Sequence, residues 1–106
     1  MPFVYIPQTV GELNDLLGHM VLSAPSFEDK VGYYPDQSVE TEFRSVEEGL
    51  AKVRRKIGEE RYSKLLAMSV KARALFEADP DETNGKTREG ILLLQEMSKV
   101  LTGEAH

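Results

Sequence analysis

Val39, Phe43, Val46, Leu50, Val53 and Ile57 are separated by 4, 3, 4, 3 and 4 residues, and this apolar seam limits the possible folds of the chain more than any other feature. Apolar side chains at that spacing form one stripe on an α-helix but scatter over both faces of a strand. The seam therefore predicts one long helix that must bury its stripe against other elements. Ser38 stands where an N-cap belongs. Glu40 and Glu42 in the first turns, and Arg54, Arg55 and Lys56 in the last, suit the two ends of the helix dipole. Gly58 is predicted to end the helix. Glycine is favoured just past a helix terminus, the charge turns acidic at Glu59 and Glu60, and the apolar phase breaks at Glu60 and Arg61.

Three further helices follow from similar signals. Thr9 and Glu12 form a capping box, in which the hydroxyl accepts from the Glu12 amide and the carboxylate reaches back to the Thr9 amide. Val10, Leu13, Leu17 and Met20 then share a face. After Gly58, a helix to about Glu77 carries Tyr62, Leu65, Leu66, Ala72, Leu75 and Phe76. Asp79-Pro80-Asp81-Glu82 reads as another helix start, soon interrupted by Asn84-Gly85. The last helix is expected from near Thr87 to Gly103. It is broadly apolar through Ile91, Leu92, Leu93, Leu94, Met97, Val100 and Leu101, so it should be central to the core or meet another chain. Ser23 to Gln37, with two prolines and a glycine, reads as a long loop. Phe3-Val4-Tyr5-Ile6 is a short extended or β segment, with Val31-Gly32-Tyr33-Tyr34 its one candidate partner. The expected fold is mainly α: residues 1–106 form a single helical domain, a small bundle of about four helices.

Composition narrows the chemistry. The absence of cysteine excludes disulfides, thiolate metal sites and thiol nucleophiles. No apolar run approaches the ~18 residues of a membrane span, and the N-terminus lacks the features of a secretory signal, so the chain is expected to be cytoplasmic. The net charge of −5 disfavours binding to phosphate backbones. The charge is unevenly placed, with eight basic residues and only Glu59 and Glu60 between Lys52 and Arg73. That stretch nevertheless reads better as helix support than as a nucleic-acid surface. Glu48–Lys52 and Glu60–Lys64 stand at i, i+4 spacing, and Tyr62 is the only aromatic available for stacking. Glu12, Asp15 and His19 share a helix face at metal-ligand spacing, yet a bundle site needs equivalent ligands from other helices, the only other histidine is His106, and Glu12 already caps a helix, so no metal or cofactor is expected. No nucleophile–base arrangement and no glycine-rich phosphate loop is present, and the chain is not expected to be an enzyme. Glu77, Asp79, Asp81 and Glu82 read as a solvated turn.

The acidic residues Asp36, Glu40, Glu47 and Glu48 are the better functional candidates, because Tyr33 and Tyr34 precede them. Aromatic anchors beside carboxylates suit docking to a basic protein. These six residues form the expected partner-binding surface. On the predicted helix, Glu40 and Glu47 flank the seam and Glu48 points away from it.

Several segments carry a resemblance. They are Tyr34-Pro35-Asp36, Gly49-Leu50 to Ile57, Gly58-Glu59-Glu60-Arg61-Tyr62, Ala72-Arg73-Ala74-Leu75-Phe76-Glu77-Ala78-Asp79-Pro80 and Gln95-Glu96-Met97. Over roughly residues 33–101 the chain resembles immunity proteins of bacterial contact-dependent growth inhibition and polymorphic toxin systems. The resemblance implies a cytoplasmic inhibitor that occludes a cognate toxin domain, often a basic nuclease. Immunity proteins share no common active site, so it assigns no residue a role. The alternative expectation is a self-associating structural or regulatory protein, its seam and last helix packing between chains.

Overall fold

The computed structural model describes residues 6–23, 39–79 and 84–103. They form four helices: α1 Val10–Ser23, α2 Val39–Ile57, α3 Glu59–Glu77 and α4 Lys86–Thr102. Among the described residues there is no strand. Phe3-Val4-Tyr5, Val31 to Tyr34, most of the expected loop and the Ser38 cap lie outside them.

The seam of α2 does what its spacing requires. Phe43, Val46, Leu50 and Val53 are buried, with Val39 and Ile57 packed at the margin. They meet Leu13, Leu16, Leu17 and Met20 of α1, Leu65, Ala72 and Phe76 of α3, and Leu94, Met97, Val100 and Leu101 of α4. The seam therefore serves this chain's own core. α4 packs against α3 and α1, and α2 packs against α3 and more lightly against α1, so the helices close a ring.

Gly58 alone joins α2 to α3. Its φ of 89° and ψ of 158° lie in a region open to glycine. Its amide donates to the Arg54 carbonyl and its carbonyl accepts from the Tyr62 amide, both at 2.9 Å, so one residue closes one helix and opens the next. The helices then run back along each other, which brings the rings of Phe43 and Phe76 to 6.1 Å between centroids.

The α3–α4 connection is built differently. Asp79, expected in a solvated turn, is buried. Its Oδ2 accepts from the Thr87 amide at 3.0 Å and its Oδ1 from the Asn84 amide at 3.2 Å, while Thr87 Oγ1 donates to the Asp79 carbonyl at 3.0 Å. Gly85 and Lys86 precede Thr87 at the start of α4, and no side chain at Gly85 can cap it. A carboxylate from the end of α3 thus supplies the acceptor that the α4 N-terminus lacks. Asn84 Nδ2 adds a bond to the Ala78 carbonyl at 3.1 Å. Pro80 to Thr83, including the expected Pro80 start, lie outside the described residues.

Two glycines permit close approach. A Cβ at Gly90 would stand 2.7 Å from Phe76 Cζ, so the ring occupies the space a side chain would fill between α3 and α4. A Cβ at Gly49 would stand 3.1 Å from Leu13 Cδ1 and from the Pro7 ring, which seats the start of α1 on α2.

The α1 capping box forms with one difference. The Glu12 amide donates to Thr9 Oγ1 at 3.1 Å as expected. The Glu12 carboxylate, however, accepts from the Gln8 amide at 3.0 Å, one residue before the expected Thr9. α4 ends at Gly103 in the left-handed conformation, as its sequence indicates.

Candidate functional site

Of the six residues expected to contact a partner, Tyr33, Tyr34 and Asp36 lie outside the described residues. Glu40, Glu47 and Glu48 lie on the N-terminal half of α2, where Glu40 and Glu48 are exposed and Glu47 is half-buried. Glu40 and Glu47 are two turns apart on one side of the helix, next to the buried seam, and Glu48 is rotated about 100° further from it.

The three carboxylates are not equivalent. Glu40 stands in the first turn, where the helix N-terminus favours negative charge. Its Oε1 also accepts from Arg44 Nη2 at 3.3 Å. Helix stability alone accounts for Glu40. Glu47 and Glu48 lie in the middle of α2, beyond the reach of that terminus. Among the described residues they enter no ion pair, and the expected Glu48–Lys52 pair is not among those formed. Glu42, one turn earlier, is buried and faces inward.

Three of the basic residues between Lys52 and Arg73 have structural roles: Arg54, Arg61 and Arg73. Arg54 Nε and Nη2 donate to the two carboxylate oxygens of Glu59 at 2.6 and 2.8 Å, a two-point clamp across the Gly58 turn. Through that hydrogen bond Arg54 holds the Glu59 carboxyl below its ordinary value, and Glu59 raises the Arg54 guanidinium above its own. The Arg54 guanidinium also covers the Tyr62 ring, 4.6 Å from the centroid. The one aromatic that could stack a base in this stretch therefore has a face already occupied. Arg61 lies beside the C-terminal end of α4, where a Cβ at Gly103 would be 3.9 Å from Arg61 Nη2, a placement the negative end of a helix favours. Arg73 pairs with Glu77 at 2.8 Å, whereas the expected Glu60–Lys64 pair is not among those formed.

The metal candidates of α1 gather no further ligands among the described residues. Asp15 and His19 are exposed on α1, and Glu12 is engaged by the Gln8 amide. Among the described residues, no three His, Asp or Glu side chains gather as metal ligands. Nor is any helix among them long and apolar enough to cross a membrane.

The broadly apolar α4, expected to be central to the core or to meet another chain, leaves part of its surface open: a shallow groove of ≈ 320 Å³ lies between α3 and α4, with the exposed Leu92 on its wall. Such a run exceeds what one face of a helix can bury. No family model, curated protein or solved structure matches the chain.

Proposed function

We propose that this chain is a non-catalytic binding protein of the immunity type, which covers the active site of a basic, nuclease-like toxin domain. The observation that carries the proposal is the pair Glu47 and Glu48. They are carboxylates in the middle of a helix, free of ion pairs among the described residues, and the helix dipole gives them no structural role. Unpaired carboxylates on a rigid helix steer a basic surface into register and compete for a groove shaped for phosphate. The helix itself is held in place by its buried seam, so the charges are presented without further ordering on binding. The resemblance over residues 33–101 supplies the partner class, and Tyr33, Tyr34 and Asp36 would extend the same surface. The mechanism is steric cover with charge complementarity and involves no bond-making step.

The test begins with capture of the partner from source cells and titration calorimetry on the purified pair. A basic protein bound one-to-one is expected. Glu47→Lys/Glu48→Lys should raise Kd roughly tenfold or more and flatten its dependence on salt. Glu40→Lys should do less, because Arg44 already neutralises that carboxylate. Unchanged affinity and salt slope in the double variant would remove α2 as the docking surface.

A further inference from the structure

The outward side of the α3–α4 hairpin holds an apolar strip that the core leaves partly open. α4 buries Leu94, Met97, Val100 and Leu101, yet Leu92 is 55% exposed on the same helix. With Leu75 and Leu93 it lines the groove between the two helices, and Lys71 of α3 and Glu89 and Glu96 of α4 frame it. Glu89 and Glu96 stand one turn to either side of Leu92 and Leu93, and Lys71 faces them from the neighbouring helix. Among the described residues none of these three charges enters an ion pair.

The pattern selects its occupant. The groove is open along its length and cannot enclose most of a small ligand's surface, as binding pockets do. A uniformly basic partner would be repelled by Lys71, and a uniformly acidic one by Glu89 and Glu96. A surface that presents the same strip with the same charges in the reverse order satisfies both. A second copy of this chain, related by a two-fold axis, is such a surface. Lys71 of each copy then meets the carboxylates of the other, and the two Leu92 side chains pack at the axis.

We propose that the α3–α4 face mediates a two-fold homodimer, with Leu92 as its apolar centre and Lys71 opposite Glu89 and Glu96 of the second copy. The size of the face sets the strength. Two helices about 25 Å long and ~10 Å apart offer roughly 500 Å² per copy, below the ~800 Å² of a standard stable interface. The dimer is therefore weak and concentration-dependent. It uses a different face from the acidic turns of α2, so it stands or falls independently of the function proposed above.

Sedimentation velocity over about 1 μM to about 1 mM at low salt tests this, with circular dichroism to confirm that each variant is folded. The full chain should shift from monomer to dimer as concentration rises. Leu92→Ser should abolish the shift, and so should Lys71→Glu alone and Glu89→Lys/Glu96→Lys alone. An equimolar mixture of the two charge-reversed chains should dimerise again, because each then carries the complement of the other. Should a reversed chain fail to fold, Lys71→Gln provides a milder loss of the same charge. A chain that stays monomeric throughout, a dimer indifferent to Leu92→Ser, a higher oligomer, or folded reversed chains that fail to associate when mixed would each overturn the proposal.

Discussion

The two turns on either side of α3 solve the same problem by opposite means. At Gly58 the chain reverses through one residue, and the backbone does the work: a positive φ joins two helices through their own amides and carbonyls. The side chains there, Arg54, Glu59 and Tyr62, clasp the outside of the turn in water. At the other end of α3 the connection is longer, and a buried side chain does the work: Asp79 reaches across to satisfy the start of α4. An exposed charge clamp can exchange its partner for water at little cost. A buried acceptor cannot, because the Thr87 amide it serves is buried with it and has no water to turn to. The second turn should therefore depend on one side chain far more than the first.

Substitution at each turn can break that contrast. The largest effect is expected for Asp79→Ala, which strands the buried Thr87 amide and should cost about 2–3 kcal/mol, lowering Tm by roughly 10–20 °C in a domain of this size. Asp79→Asn, which keeps one acceptor oxygen, should lose about half as much. Thermal and urea unfolding followed by circular dichroism measure both. A loss no greater than that of a surface substitution would mean that α4 does not need its borrowed cap. Next comes Gly58→Ala. A Cβ finds open space there, so the penalty is conformational alone, about 1–2 kcal/mol for a backbone region that other residues avoid. If it exceeded Asp79→Ala in the same assay, the backbone would be the dominant device at both turns. The smallest effect belongs to the clamp. Glu59→Gln should be nearly silent at physiological salt and should show itself in pH dependence. The folded carboxyl lies below its ordinary value, so its contribution is complete at neutral pH. It begins to fade as pH falls below the unfolded value of about 4.3, and it is gone once pH passes below the folded value. Stability curves of the original and Glu59→Gln chains from neutral to acid pH should converge in that acid range. Parallel curves would show that the clamp contributes nothing.

The same contrast explains what could be read from the sequence. The α2 seam, the stop at Gly58, the end at Gly103 and the Thr9 half of the capping box are local patterns, set by residues within a turn or two of one another. Asp79 stands with Glu77, Asp81 and Glu82 in a stretch that by itself indicates a solvated turn, because acids in a turn are usually solvated. Its decisive partner, Thr87, lies eight residues away, and the bond exists only once α3 and α4 have packed. The role of Gly90 is equally invisible in a one-dimensional pattern, since it depends on where the Phe76 ring arrives. Leu16 joins the α1 core although it stands outside the Val10, Leu13, Leu17 and Met20 pattern, because α1 is flanked by both α2 and α4. At the candidate site, the exposure of Glu40 and Glu48 followed from helix phase. The choice of ion pairs did not, because surface pairs at i, i+4 differ by only a few tenths of a kcal/mol and side-chain rotamers decide among them.

Ser98 Oγ on α4 donates to Asn14 Oδ1 on α1, and 84 residues separate the two. The other helix junctions of the ring join neighbours in sequence or span far less chain. Chain topology thus divides the folding process in two. The α2–α3 and α3–α4 hairpins have low contact order and are expected to assemble early, while docking of α1 on α4 closes the longest loop and comes late. The same ordering run backwards makes α1 the expected first region to exchange its amide hydrogens with solvent under native conditions.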